Sequence, residues 1–347
     1  MKISITIVLV MFAMATFAQK ATNYWDGSFN SYWHNANNWS LGHIPTSTED
    51  VVIPNGMSLY PAVDFYDETI KSLVIHSGAY VRINAFTLTV SGDVQVYGLL
   101  DINDADAFME CNNITWQSGS QIETTDGCSI KVNGTWEFAA GANVQIDEGL
   151  VWFYGSGNQY IRSKDADCYF KDVYVQKSAG VFGLSSQSTA TCRIKGYLNF
   201  AGSNYSFTSD SPQTIQLGHN LKVPNSTITM ALDNGTIEFT GNQSVCSITA
   251  QATSYINNLI VNTGASYVFV SMIYGNTFEV KGDVTINSGN LKMDNMTLKV
   301  GGDWTNNVGS GGFTPNASTV IFNGSGHQYC SDETFNNLEV SKSSGAL

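Results

Sequence analysis

Charge is the first thing in short supply. Only 13% of the 347 residues are Asp, Glu, Lys or Arg, about half the usual share. Cations are the scarcer kind: 16 Lys and Arg stand against 29 Asp and Glu, a net charge of −13. Nucleic-acid binding relies on cations that displace counterions from phosphate, and docking on anionic lipid needs the same sign. Neither partner fits this chain. Proline is limited to 6 residues, and no linker rich in proline or charge divides the sequence. No window carries a helical hydrophobic period. The six cysteines are Cys111, Cys128, Cys168, Cys192, Cys246 and Cys330, with no Cys-x-x-Cys pair among them. Ligand-spaced zinc motifs are therefore absent. The thiols are either small buried hydrophobes or, after export, disulfide partners. Phosphate-cradling, nucleophile-elbow and zinc-protease motifs are missing as well.

What is present begins with an address. Lys2 is a short positive region, Ile3 to Phe12 an apolar stretch, and Ala13 to Ala18 a small-residue end. This reads as a signal peptide over residues 1–18, cleaved before Gln19. The apolar stretch is too short to span ~30 Å of hydrocarbon, and no second run of spanning length follows. The expectation is a soluble, exported chain with no membrane insertion. Its surface must consist mainly of Asn, Thr, Ser, Gly and Gln, as in extracellular β-rich proteins.

The remainder repeats itself. A pattern of two alternating apolar residues, then Gly, then a large apolar residue occurs at Leu88–Val94, Ile130–Trp136, Cys192–Leu198, Phe278–Val284 and Leu298–Trp304. Gly282 and Gly302 mark one such unit with nothing inserted. A second pattern appears as Ile70–Ile75, Phe170–Val175, Ile256–Val261 and Phe335–Val340. A third pattern, aromatic then Gly then Gln, ends at Gln159, Gln243 and Gln328, at nearly equal intervals. A short unit of about 20 residues is thus nested in one of about 85. Apolar residues alternate over four to six positions, the mark of half-buried strands. Gly, Asn, Asp and Ser punctuate them as turns. Short strands at this spacing predict an all-β solenoid, each coil burying its inner face against its neighbours. At ~4.8 Å per coil the rod would be on the order of 65–80 Å long. The competing architecture is a set of tandem β-sandwich domains.

The opening of the mature chain adds a specific motif: Trp25-Asp26-Gly27, Trp33, Asn35, Asn38-Trp39-Ser40, Gly42, Pro45 and Asp50 to Pro54. It resembles the opening of large secreted surface proteins of Bacteroidetes-type bacteria. The later Gly-Asp-Trp and Phe-Asn-Asn-Leu elements are similar to the repeats of that group. The resemblance implies a right-handed parallel β-helix, adhesin-like and exported by a type IX system. Residues 19–60 are read as a Trp-rich N-terminal cap and 61–347 as β-helix repeats. Such proteins end in a sorting domain, whereas this sequence stops partway through a repeat, at Ser343 to Leu347. The expectation is a fragment truncated at its C-terminus.

Candidate sites are few. Trp25, Trp33 and Trp39, with Tyr24 and Tyr32 beside them, form either a carbohydrate-stacking platform or the plug of the solenoid's first coil. Asp101, Asn103, Asp104 and Asp106 form the densest oxygen-rich run and a candidate calcium loop. Ala105 stands where such a loop needs a ligand and Asp106 where it needs glycine, so a solvated turn competes. Asp93, Asp283 and Asp303 follow the repeat glycine and read as turn chemistry. Catalysis would need carboxylate pairs such as Asp165 with Asp167 or Asp101 with Asp104, and arginines chosen from Arg82, Arg162 and Arg193. The functional expectation is a structural or adhesin-like protein binding extracellular glycans or surface proteins along repeated faces, without a cofactor. A polysaccharide-cleaving enzyme on the same fold is the alternative.

Overall fold

The computed structural model describes residues 21–347 apart from 166, 211, 242–244 and 252–253. The leader, the cleavage point before Gln19 and the repeat residue Gln243 lie outside the described residues.

Alternation dictates the coil. In Ser72–Ile75, Leu73 and Ile75 are buried while Ser72 and Val74 are half-exposed. One coil on, Val94 and Val96 point inward and Gln95 outward. These strands pair in parallel, Leu73 with Val94 and Ile75 with Val96. A parallel partner cannot be reached through a tight hairpin. The chain must wind around an axis to reach it. The result is a parallel β-helix of about 13 turns. Among the described residues every strand ladder is parallel, which excludes the antiparallel sandwiches. Apart from one 3-10 turn at Ala36–Asn38, the described residues contain no helix.

Each coil has three faces. The first carries Thr22–Tyr24, Asp50–Ile53, Ser72–Ile75 and Val94–Val96, and runs on to Thr319–Phe322 and Asn337–Val340. The second carries Ala62–Val63, Tyr80–Ile83, Leu99–Ile102 and Gln121–Thr124, then Tyr169–Phe170 and Cys192–Ile194. The third carries Thr87–Val90, Phe108–Cys111, Ser129–Val132, Leu150–Gly155, Asp172–Lys177 and Leu198–Gly202. Inward side chains form one continuous core from Trp25 to Phe322. Trp136 packs 5.6 Å from Trp116 and 5.2 Å from Phe170, one coil to either side. Each fully buried Ile, Leu, Val or Phe in this column contributes roughly 1.5–3 kcal/mol. Five of the six cysteines belong to the core, and none is bonded to another.

The corners explain the glycine motif. Asp172 Oδ1 accepts the Tyr197 N–H at 2.6 Å, and Asp283 Oδ1 accepts the Asp303 N–H at 2.8 Å. The Asx group of one coil therefore caps the backbone of the next. A Cβ on Gly196 would collide with Asp172 Oδ1, and one on Gly302 with Asp283 Oδ1. Asp283 and Asp303 thus bond to the following coil rather than within their own turns. Asp93 does likewise, accepting Asn113 Nδ2 at 2.8 Å.

The long repeat does not match whole coils. Lys195 lies 3.4 Å over the Tyr169 ring and 3.2 Å from Asp147. The same triad returns one long repeat later, with Lys281 3.4 Å over Tyr255 and 2.8 Å from Asp233. Tyr169 sits on the second face but Tyr255 on the first. The unit crosses eleven faces, one fewer than four full coils require. Each copy is therefore rotated by one face about the axis.

Candidate ligand-binding face

The N-terminal aromatics divide by position. Trp25, Trp33 and Trp39 are buried, at 0–2% exposure. Their rings pack edge to face, Trp25 5.0 Å and Trp33 4.9 Å from Trp39. Trp25 Nε1 donates to the Leu59 carbonyl at 2.7 Å and Trp39 Nε1 to the Trp33 carbonyl at 2.8 Å. Fully buried Asn38 ties the covering loop: its Oδ1 accepts from Phe29 and Asn30 N–H, and its Nδ2 donates to Asn30 Oδ1 and the Tyr32 carbonyl. The indole faces are packed on protein and offer no surface to a sugar. Tyr24 and Tyr32 are exposed, at 47% and 43%.

The acidic run is occupied by its own chain. Asp101 is 2% exposed and pairs with Arg82 at 2.6 Å. Asp104 Oδ1 accepts the Asp106 N–H at 3.0 Å. Asn103 and Asp106 are exposed, and among the described residues no group of three His, Cys, Asp or Glu converges as a metal site. Asp165 caps the N–H groups of Gly141 and Asp167. Arg162 is 3.3 Å from Glu137, and Arg193 donates to Gln216 at 3.2 Å. Lys164 also reaches Glu137, at 2.6 Å. Burial works against the Glu137 carboxylate, yet these two cations hold it below the ordinary carboxylate range.

A different set converges on the third face. The outward positions Glu110, Lys131, Trp152, Tyr174, Asn199 and Lys222 are in register, one per coil. At ~4.8 Å per step this ladder is roughly 24 Å long. Trp152 and Tyr174 meet at 5.5 Å, nearly perpendicular. Lys131 lies 5.2 Å over Trp152, 4.2 Å over Tyr154 and 3.9 Å from Glu110. The Tyr154 hydroxyl donates to Glu110. Burial, then this carboxylate, push its phenol above the ordinary range. A shallow hollow of about 410 Å³ opens here, lined by Lys131, Trp152, Tyr154, Gln176 and Lys177.

The floor is built from a buried lysine. Lys177 is 2% exposed and donates to the Gly157 carbonyl at 2.5 Å and Gln159 Oε1 at 2.8 Å. Gln159 Nε2 in turn donates to the Val132 and Tyr154 carbonyls. Burial draws the Lys177 amine down to about 8. The clasp recurs at Lys342, which reaches Gly324 and Gln328, so its role is to hold the loop. The sequence carried a signal for this face that went unread. In Leu150–Gly155, Val151 and Phe153 are the inward residues, so Trp152 and Tyr154 stand where polar residues belong.

Fold and face together define a parallel β-helix with an outward aromatic ladder on one of its sheets. The chain belongs to the family described as a domain of unknown function (DUF8693), which matches residues 24–253. No curated protein and no solved structure matches it. Both the three cap tryptophans and the aromatic ladder from Glu110 to Lys222 fall inside the matched segment.

Proposed function

We propose that this protein is a secreted, surface-located binding module, adhesin-like, whose third face holds an extended extracellular glycan without cleaving it. The observation that carries the reading is the ladder of Trp152, Tyr174 and Tyr154 with Lys131 at its edge. Aromatic rings combine a flat apolar surface with a polar handle, which suits stacking against sugar rings. Gln176 and Asn199 flank them with amide donors and acceptors. The hollow is shallow and lined by residues of successive coils, from Lys131 through Trp152 and Gln176 to Ser203, which fits a chain rather than a compact small molecule. The leader pattern and the charge-poor surface support export, and the opening motif supports a place among bacterial surface proteins. Among the described residues no helix is long and apolar enough to cross a membrane.

The test is a panel of neutral, acidic and amino polysaccharides titrated into the full chain, with calorimetry and reducing-end release read together. Saturable binding without product, weakened about tenfold or more by Trp152→Ala, is expected. Product release would replace the reading with polysaccharide cleavage. Binding that Trp152→Ala leaves unchanged, or no binding to any member, would overturn it.

A further inference from the structure

The third face continues past its aromatic ladder, and its charge changes there. From Asn199 the outward column runs in register to Lys222, Thr249 and Ser271, one residue per coil. One outward position aside, Phe269 pairs with Lys292, and Lys292 Nζ lies 5.1 Å over the Tyr267 ring. Tyr267 and Phe269 alternate with buried Val268 and Val270, so both stand half-buried on the outside, as Trp152 does. This second aromatic pair is four coils beyond Tyr174, ~19 Å along the axis at ~4.8 Å per coil. In an acidic chain, these strands are free of acid. Leu198–Gly202, Leu221–Lys222, Val245–Gln251 and residues 267–272 and 290–293 contain no Asp or Glu. Lys131, Lys171, Lys195 and Lys281 each reach a carboxylate. Among the described residues neither exposed Lys222 nor Lys292 has an ion pair. Lys299 has none either, but it stands on the first face, in register beside Glu279.

We infer that the glycan of the third face is a polyanion: a carboxylated or sulfated polysaccharide that reaches from the Trp152 and Tyr174 rings across Lys222 to Phe269 and Tyr267. The inference rests on the glycan reading and deepens it. A lysine ammonium is a compact point charge on a flexible stem, able to meet an anionic oxygen along a moving chain. With no carboxylate on these strands, the protein itself does not compete for it. The net negative charge of the whole chain acts from farther away, and exposed charges beyond a Debye length of about 8 Å are largely screened at physiological salt. The nearby cations therefore decide the contact. Rings at both ends hold the uncharged part of the polymer, and two linked contacts on one ligand bind more tightly than either alone.

The experiment pairs each polyanion with its own uncharged backbone: polygalacturonate with its methyl ester, and dextran sulfate with dextran. All four are titrated into the full chain at low and moderate salt. At least one polyanion should bind about tenfold more tightly than its uncharged partner, and salt should erode the difference. Lys222→Gln, at an exposed position, should weaken that polyanion about threefold to fivefold. Lys299→Gln removes the same charge from the first face and should leave the affinity as it was. Phe269→Ala should weaken the polyanion as well. Equal binding of polyanion and uncharged partner, lost in Trp152→Ala, would overturn the inference and leave the glycan reading standing. Equal weakening by Lys299→Gln would reduce the effect to diffuse charge attraction and overturn it, and unchanged binding in Phe269→Ala would overturn the span. Failure of both polyanions to bind overturns the inference, whereas failure of every polysaccharide overturns the reading beneath it.

Discussion

Trp33 and Trp152 are the same residue type in the same fold, with opposite fates. Trp33 is 0% exposed, packed against Trp39 beneath a loop tied down by Asn38. Trp152 stands on the outer side of a sheet beside Tyr174 and under Lys131. The cap indoles crowd the end of the first coil, where the column would otherwise meet water. The face indole is placed by strand alternation, between inward Val151 and Phe153. The contrast teaches that an indole's fate follows its place in the coil: at the end of the column it is packed away, and at an outward strand position it stands half-buried on the sheet.

Four substitutions sharpen or break this contrast. The largest effect is expected from Trp33→Ala, which should cost about 3–5 kcal/mol in denaturant unfolding because the cavity lies in a packed column. A loss below ~1 kcal/mol would mean the cap is dispensable. Lys177→Met comes next, at about 1–3 kcal/mol, since it leaves the Gly157 carbonyl and Gln159 Oε1 unpaired beneath the face. It also carries a pH signature. The Lys177 amine is held near 8 in the folded chain against 10.5 ordinarily. Between those values the unfolded chain binds more protons, so stability rises with pH across that window and the burial penalty is fully present below it. Unfolding midpoints measured from about pH 7.5 to about pH 10.5 should show this rise in the parent and lose it in Lys177→Met.

Smaller effects probe the indole nitrogens. Trp25→Phe should cost about 1–2 kcal/mol, because Trp25 Nε1 donates to the Leu59 carbonyl and Phe leaves that acceptor unmet. The same exchange at Trp152 should change stability by less than ~0.5 kcal/mol, since its Nε1 has no hydrogen-bond partner. Unfolding curves for the two Phe variants, run side by side, give the comparison directly. Equal losses would show that the face indole is as structural as the cap.

The β-helix was legible from the sequence because its grammar is local. Ser72–Ile75 and Val94–Val96 declare inward and outward residues by alternation alone, and the glycine motif marks corners. The site was less legible. Tyr24, Tyr32 and the three cap Trp attract attention by proximity in sequence, yet only the two Tyr reach solvent. Asp101 reads as a calcium ligand until Arg82, one coil below, claims it. Glu110, Lys131, Trp152 and Tyr174 become a set only once coils of unequal length are stacked in register.

By itself the sequence determined that the chain is all-β, winds in short coils, buries alternate side chains and carries little cationic charge. Period-two hydrophobicity and a recurring corner glycine suffice for that, since both act within a few residues. Tertiary structure alone decided which aromatics face water, which carboxylate meets which cation, and that the long repeat turns by one face with each copy. Those outcomes depend on how many faces separate two residues along the helix. Coils of unequal length set that number only when the strands pair.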